Sequence, residues 1–473
     1  METSRYDDVV SFVDAVVAKS DLLHVDAMGY TLEGRRIPMI VAGNVTAASA
    51  AAVHASGKLR IYLQGNIHAG EVCGKEALLM LLREIAGGEH DEWFDDVVLI
   101  IVPIYNADGN ERVSLGNRPG QNGPFGGMGQ RSNAQGLDLN RDHMKLESPE
   151  ARSLLSMMRT YDPQVSVDLH TTNGTRHAYH VTYSPPLNPN TDPAIDELLR
   201  ENWLPAMTER IRAKHGWEYY YSGNMPFRRD TEPGWHTFDH RPRFNNNYIG
   251  LRNRVAILSE AYAYASFEDR VLASLYFVQE IVAYAGEQQA LIRDAIATAA
   301  AAVLPGTELG VRAAHAQSAA KVDILMGETG DGVHPLTGRR QLMRRDISRV
   351  ESMYEYGSFR PTDRHRDRTG GLSGTGRVDR GRRSASRPRR AARGGDRPGN
   401  ARSRALPRHR VRSCRSRVPG PPGTTPRGRV RSHRDAYPGR HSSRGYDPAA
   451  RPAGVLSARA SIGRRPGKLE FPR

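Results

Sequence analysis

Residues 59–85 constrain this chain most: the apolar run LRIYLQ meets the turn GNIHAGE, and then the stretch KEALLMLLREI. The run reads as a buried strand, while Leu78, Leu79, Leu82 and Ile85 recur at helical spacing. A strand that passes through a glycine turn into a helix is a repeating unit of an α/β sheet. His68 and Glu71 sit at the crossing, where sites in open α/β sheets gather. Three residues apart near a helix start, they can offer one imidazole nitrogen and one carboxylate to a single metal. Alone the pair is weak evidence, because His215 with Glu218 repeats the spacing and reads as surface chemistry.

Other strand ends add to it. DDVVLIIVPIYNADGNE is a buried strand that delivers Asn106, Asp108 and Gly109. Val165 to Asp168 is a short strand running into His170, and Val255 to Leu258 ends at Ser259 and Glu260. Between these units the periodicity predicts helices over Tyr6–Lys19, with Thr3 and Ser4 as caps, and over Pro149–Met158. It also predicts helices over Asp196–Ile211, interrupted near Pro205, and over Arg270–Val303. A loop over Arg112–Gln135 and an aromatic, arginine-rich irregular region over Tyr219–Tyr248 lack any period. The expected fold is a three-layer α/β/α unit with a mixed, largely parallel central sheet over residues 1–304. The start of a small, incomplete β region follows at 305–357, and a low-complexity basic tail at 358–473.

The tail explains the charge. The whole chain carries +15, but from Arg360 onward 31 Arg and one Lys face seven acidic residues, leaving a mildly acidic body. Such a tail cannot bury enough apolar surface to fold alone, so it is expected to be disordered. Two readings follow from it. A basic tail binds nucleic acid or an anionic surface, whereas the abrupt switch after VESMYEYGSF, with almost no Lys, fits a GC-rich gene read in a shifted frame. Two cysteines, Cys73 and Cys414, exclude a disulfide framework and leave any metal to His and carboxylates. No stretch approaches a membrane span and the start lacks a signal-peptide layout, so the chain as written reads as cytoplasmic; export would require a start further upstream.

Alternating strands and helices would bring His68, Glu71, the DLNRD segment, His170 and Glu260 along one sheet edge. Two His and one carboxylate leave an open fourth position on zinc, the catalytic arrangement. At this point the residues resemble the zinc carboxypeptidases related to carboxypeptidases A and D, over roughly residues 1–300. GYTLEGRRI, HAGE, NADG, GQRSNAQGLDLNRD, DLH and SEAYAY are similar to the family's elements and occur in its order. The resemblance implies that His68, Glu71 and His170 bind one zinc per chain and that Glu260 is the general base. It implies that Arg131, chosen over Arg118 by its nine-residue lead on Asn140, holds the oxyanion, and that Asn140 and Arg141 clamp a terminal carboxylate. Tyr248 is the candidate for the family's loop tyrosine.

The expected activity is zinc-dependent hydrolysis of the C-terminal peptide bond of peptides with a free carboxylate. Asp142, where many relatives carry a neutral residue, raises an alternative: an amidohydrolase on cell-wall or side-chain-modified peptides. An alternative of another class is nucleic-acid or anionic-surface binding through the basic tail. The preferred terminal residue and the oligomeric state are not readable from the sequence.

Overall fold

The computed structural model describes residues 2–172, 174–226, 231–303 and 306–366. Its centre is an eight-stranded sheet built from β1 (Leu23–Tyr30), β2 (Arg36–Ala42), β3 (Leu59–Gly65), β4 (Val97–Val102), β5 (Val165–Thr171), β6 (Val181–Ser184), β7 (Tyr219–Tyr221) and β9 (Val255–Ala261). The spatial order is β1-β2-β4-β3-β5-β9-β6-β7. The four inner strands β4, β3, β5 and β9 run parallel, and antiparallel partners flank them on both sides. The inner strands are almost wholly buried, which is why they read as continuous apolar runs rather than alternating ones.

Helices cover both faces. On one lie α1 (Tyr6–Val17), α3 (Cys73–Ala86) and α9 (Phe267–Glu287), which pack on one another. On the other, α2 (Ala50–Ala55), α5 (Pro149–Thr160) and α8 (Asn245–Gly250) send Val53, Leu154, Met157 and Ile249 into a cluster with Met39, Val41, Tyr62, Val98 and Ile100. The three-layer architecture expected from the sequence is therefore present. The remaining helices are α4 (Ala107–Glu111), α6 (Pro193–Glu197), α7 (Leu204–His215) and α10 (Gln289–Ala301).

Several local expectations need correction. Thr3 and Ser4 do not cap α1; both hydroxyls bond to Glu76 of α3, tying two helices together, and Arg5 stands at the cap position. The helix expected over Asp196–Ile211 is three pieces, because Pro205 cannot donate a backbone hydrogen bond and a π-helical stretch, Leu198–Trp203, precedes it. The last long helix is divided at Gln288.

Beyond it, β10 (Glu308–Ala316) pairs with β13 (Ser358–Arg366), and β11 (Lys321–Val333) with β12 (Arg340–Tyr356). β12 also joins β8 (Trp235–His236) in parallel, Glu355 opposite Trp235 and Tyr356 opposite His236. The pairing thus continues to Arg366, past the boundary read at 357. Residues 367–473 lie outside the described residues, and with them Cys414 and the basic stretch to which nucleic-acid binding was attached. No described helix is long and apolar enough to cross a membrane.

Candidate metal centre

Strand register places the site. β3 and β5 are parallel neighbours, with Gly65 opposite Leu169, and β5 and β9 are in register with His170 opposite Glu260. The turn after β3 carries His68 and Glu71 to the same end. One atom from each of His68, Glu71 and His170 lies within 4.8 Å of the others, and all three residues are buried. Glu71 joins them: its Oε1 is 3.0 Å from His68 Nδ1, its Oε2 2.9 Å from His170 Nδ1, and Oε2 also accepts from Thr171 N at 3.1 Å.

The far nitrogens are held as firmly. His68 Nε2 donates to Asp138 Oδ1 at 3.0 Å, and His170 Nε2 to Asp168 Oδ2 at 2.9 Å. Since a carboxylate accepts but does not donate, these bonds fix the ring orientation with Nδ1 toward Glu71. Burial pulls the His170 imidazole down, yet Asp168 and Glu71 outweigh it and hold its pKa well above the ordinary range. Burial likewise raises Glu71, but His68, Arg118 and His170 more than reverse it and keep the carboxylate ionised.

Two imidazole nitrogens and a carboxylate, each backed by a second hydrogen bond, match the three-ligand set of a catalytic zinc. Glu260 supplies a further sign of fit: its Oε2 is buried with no hydrogen-bond partner among the described residues. Burial pushes the Glu260 carboxyl up to about 7, with His170 opposing and Glu71 adding to the rise. An unpaired carboxylate oxygen inside a protein is costly unless a bound group or water completes it.

His68, Glu71, His170, Glu260, Arg131, Asn140 and Arg141 line one cleft of about 360 Å³. Arg131 is 37 % exposed and bonds to Asp138 at 2.9 Å, leaving part of its guanidinium open to the cleft. Arg118, passed over in the sequence, ion-pairs with Glu71 and is the more buried of the two. Asn140 lies 3.3 Å from His170 Nε2 through its amide nitrogen, while its Oδ1 accepts from Asn245 N. The Arg141 guanidinium stacks 3.9 Å from the Phe244 ring centroid.

Two residues singled out in the sequence stand away from the cleft. Tyr248 is not among the residues that line the cleft. It lies in α8, packs against the core cluster, and its ring is 5.8 Å from that of His143. The reason is local: helical backbone over Asn245–Gly250 fixes it in the layer beneath the sheet. Asp142 does not line the cleft either. Both its oxygens accept bonds from Glu147 and Ser148, closing the turn into α5. Asp138 and Asp168 were missed as functional residues. The Asp168–His170 spacing of two on a strand, which puts both on one face, was the available signal.

Comparison with known proteins agrees with the geometry. Residues 9–225 match the family model described as zinc carboxypeptidase. Carboxypeptidase 2 of Trichophyton rubrum is 25 % identical over 276 residues, covering 53 % of this chain and 46 % of that protein. The chain thus spans under half the length of that relative. Carboxypeptidase E of Caenorhabditis elegans is 33 % identical over 127 residues, 26 % of this chain and 25 % of its own. A metallo-carboxypeptidase from Burkholderia cenocepacia superposes with a TM-score of 0.44 at 16 % identity, covering 58 % of this chain and 67 % of that one. The segment that carries His68, Glu71 and His170 thus lies within the part of the chain that matches the zinc carboxypeptidase family.

Proposed function

We propose that this protein is a zinc-dependent metallocarboxypeptidase that removes the last residue of peptides, with Glu260 as general base. One observation carries the reading. The converged His68–Glu71–His170 donors share a cleft with an unpartnered Glu260 oxygen and with the Asn140–Arg141 pair. His68, Glu71 and His170 would hold one zinc. Zinc there supplies Lewis acidity, which polarises a carbonyl and makes water a better nucleophile at neutral pH.

The chain's own groups do the rest. Asn140 and Arg141 bind the substrate's terminal carboxylate, Arg141 with a flat guanidinium already oriented by Phe244. This sets the last peptide bond over the centre. Arg131 stabilises the negative charge that develops on the scissile carbonyl oxygen. Glu260 takes a proton from the attacking water as its oxygen bonds to the carbonyl carbon. It then returns that proton to the amine nitrogen as the carbon–nitrogen bond breaks. A carboxyl raised toward neutral pH suits both halves of that transfer.

The test compares the full-length chain with Glu260→Gln, on one peptide offered as free acid and as C-terminal amide. Equal zinc in both proteins, with stepwise trimming of the free acid by wild type alone and a loss of roughly 10²–10⁴-fold in the variant, is the expected result. Cleavage of the amidated peptide at the same rate would replace this reading with an amidohydrolase. Folded protein that takes up no metal would overturn both.

A further inference from the structure

His177 follows the third proposed ligand by seven residues and lines the same cleft as Glu260, Asn140 and Arg141. It is only 2 % exposed, and its Nδ1 is buried without a hydrogen-bond partner among the described residues. The ring sits against Tyr262, centroids 4.3 Å apart, and edge-on to Trp235 at 6.0 Å. Burial, opposed by a backbone hydrogen bond at Tyr179 and helped by the nearby Arg344 charge, lowers its pKa to about 3, so at neutral pH the imidazole is uncharged and its Nδ1 is left to find a partner.

The C-terminal β region grips this residue from behind. His177 forms a bridge with Met326 of β11, Ala178 N donates to Leu325 O at 2.9 Å, and Gly327 N donates to Arg176 O at 3.2 Å. Contact is so close that a Cβ on Gly327 would lie 2.4 Å from the His177 carbonyl oxygen. Backbone sits at that distance, with no flexible side chain to yield, so only glycine fits.

We propose that His177 is a specificity-determining residue that hydrogen-bonds the side chain of the substrate's C-terminal residue, and that β11 is its support. The inference rests on the carboxypeptidase reading above. A neutral, desolvated ring with an unpaired nitrogen favours a partner ending in an amide, hydroxyl or carboxyl. An aliphatic side chain of the same length would leave that nitrogen orphaned. A C-terminal Gln is the matched case and Met its near-isosteric control.

The experiment measures kcat/KM of the full-length zinc-loaded protein on peptides that differ only in a C-terminal Gln or Met. Wild type is expected to favour Gln by about tenfold, the factor that one net hydrogen bond supplies. His177→Phe keeps the ring packing on Tyr262 and should bring the ratio close to one, mainly through KM for the Gln peptide. His177→Gln should restore part of the preference, and Gly327→Ala, outside the cleft, should lower it with zinc content unchanged. A wild-type preference for Met, or a ratio that His177→Phe leaves untouched, overturns the proposal while the carboxypeptidase reading stands. Zinc-loaded protein that trims neither peptide removes both. If His177→Phe fails to fold, the wild-type ratio together with His177→Gln decides.

Discussion

At the scale of single residues, the site is built from imidazoles whose outer nitrogens are each held by a carboxylate. Asp138 and Asp168 aim the two imidazoles, each from 3.0 Å or less. Asp168→Asn keeps the shape but lets the amide present a donor where His170 requires an acceptor. Zinc affinity, measured by competition with a chromophoric chelator, should fall 10–100-fold. The gathering of His68, Glu71, His170 and Glu260 at one end of the sheet was legible because each stands at or just past the stop of an apolar run. Asp138 was not, since its partner is seventy residues away and only the folded turn brings them together. Tyr248 was misplaced for the complementary reason. Distance along the chain from Glu260 says nothing of whether the intervening backbone is loop or helix, and here it is helix.

Among the elements, the contact of α3 with β5 fixes the whole edge. Gly74, in the first turn of α3, lies so close to β5 that a Cβ there would meet Leu169 Cβ at 2.5 Å. Gly74→Ala would push α3 away from the strand that ends in His170, and overpacking of this kind costs about 1–3 kcal/mol. Chemical denaturation should show that loss, and zinc affinity should weaken with it because Glu71 precedes the same helix. Long, strongly periodic elements such as α3, α5 and the inner strands were readable with errors of a few residues. The short ones were not. β8 has two residues and exists because β12 and Asn224 lie on either side of it, a partnership no local pattern announces. The π-helical stretch before Pro205 is similar, its cause being local but its resolution tertiary.

For the molecule as a whole, the C-terminal β region backs one wall of the cleft. His236 and Thr237 line the cleft; His236 stacks on Tyr356 of β12 at 4.1 Å, and Thr237 N donates to Tyr356 O. That burial has a consequence for acid stability. His177 and His180 both have pKa values lowered to about 3, in each case first by burial. The unfolded chain, with an ordinary imidazole near 6.5, binds protons more readily than the folded one. Their contribution is therefore complete above about pH 6.5 and is lost as pH falls toward 3. Urea midpoints should drop across that window, and His177→Phe should flatten the slope; an unchanged slope would assign the acid sensitivity to other groups. The wall also imposes an order of events during synthesis. A ribosome releases His68, Glu71 and His170 first, Glu260 later, and residues 340–356 of β12 later still. The three converging donors therefore leave the ribosome well before the strands that brace the cleft from behind, so the donor set can gather before its groove is complete.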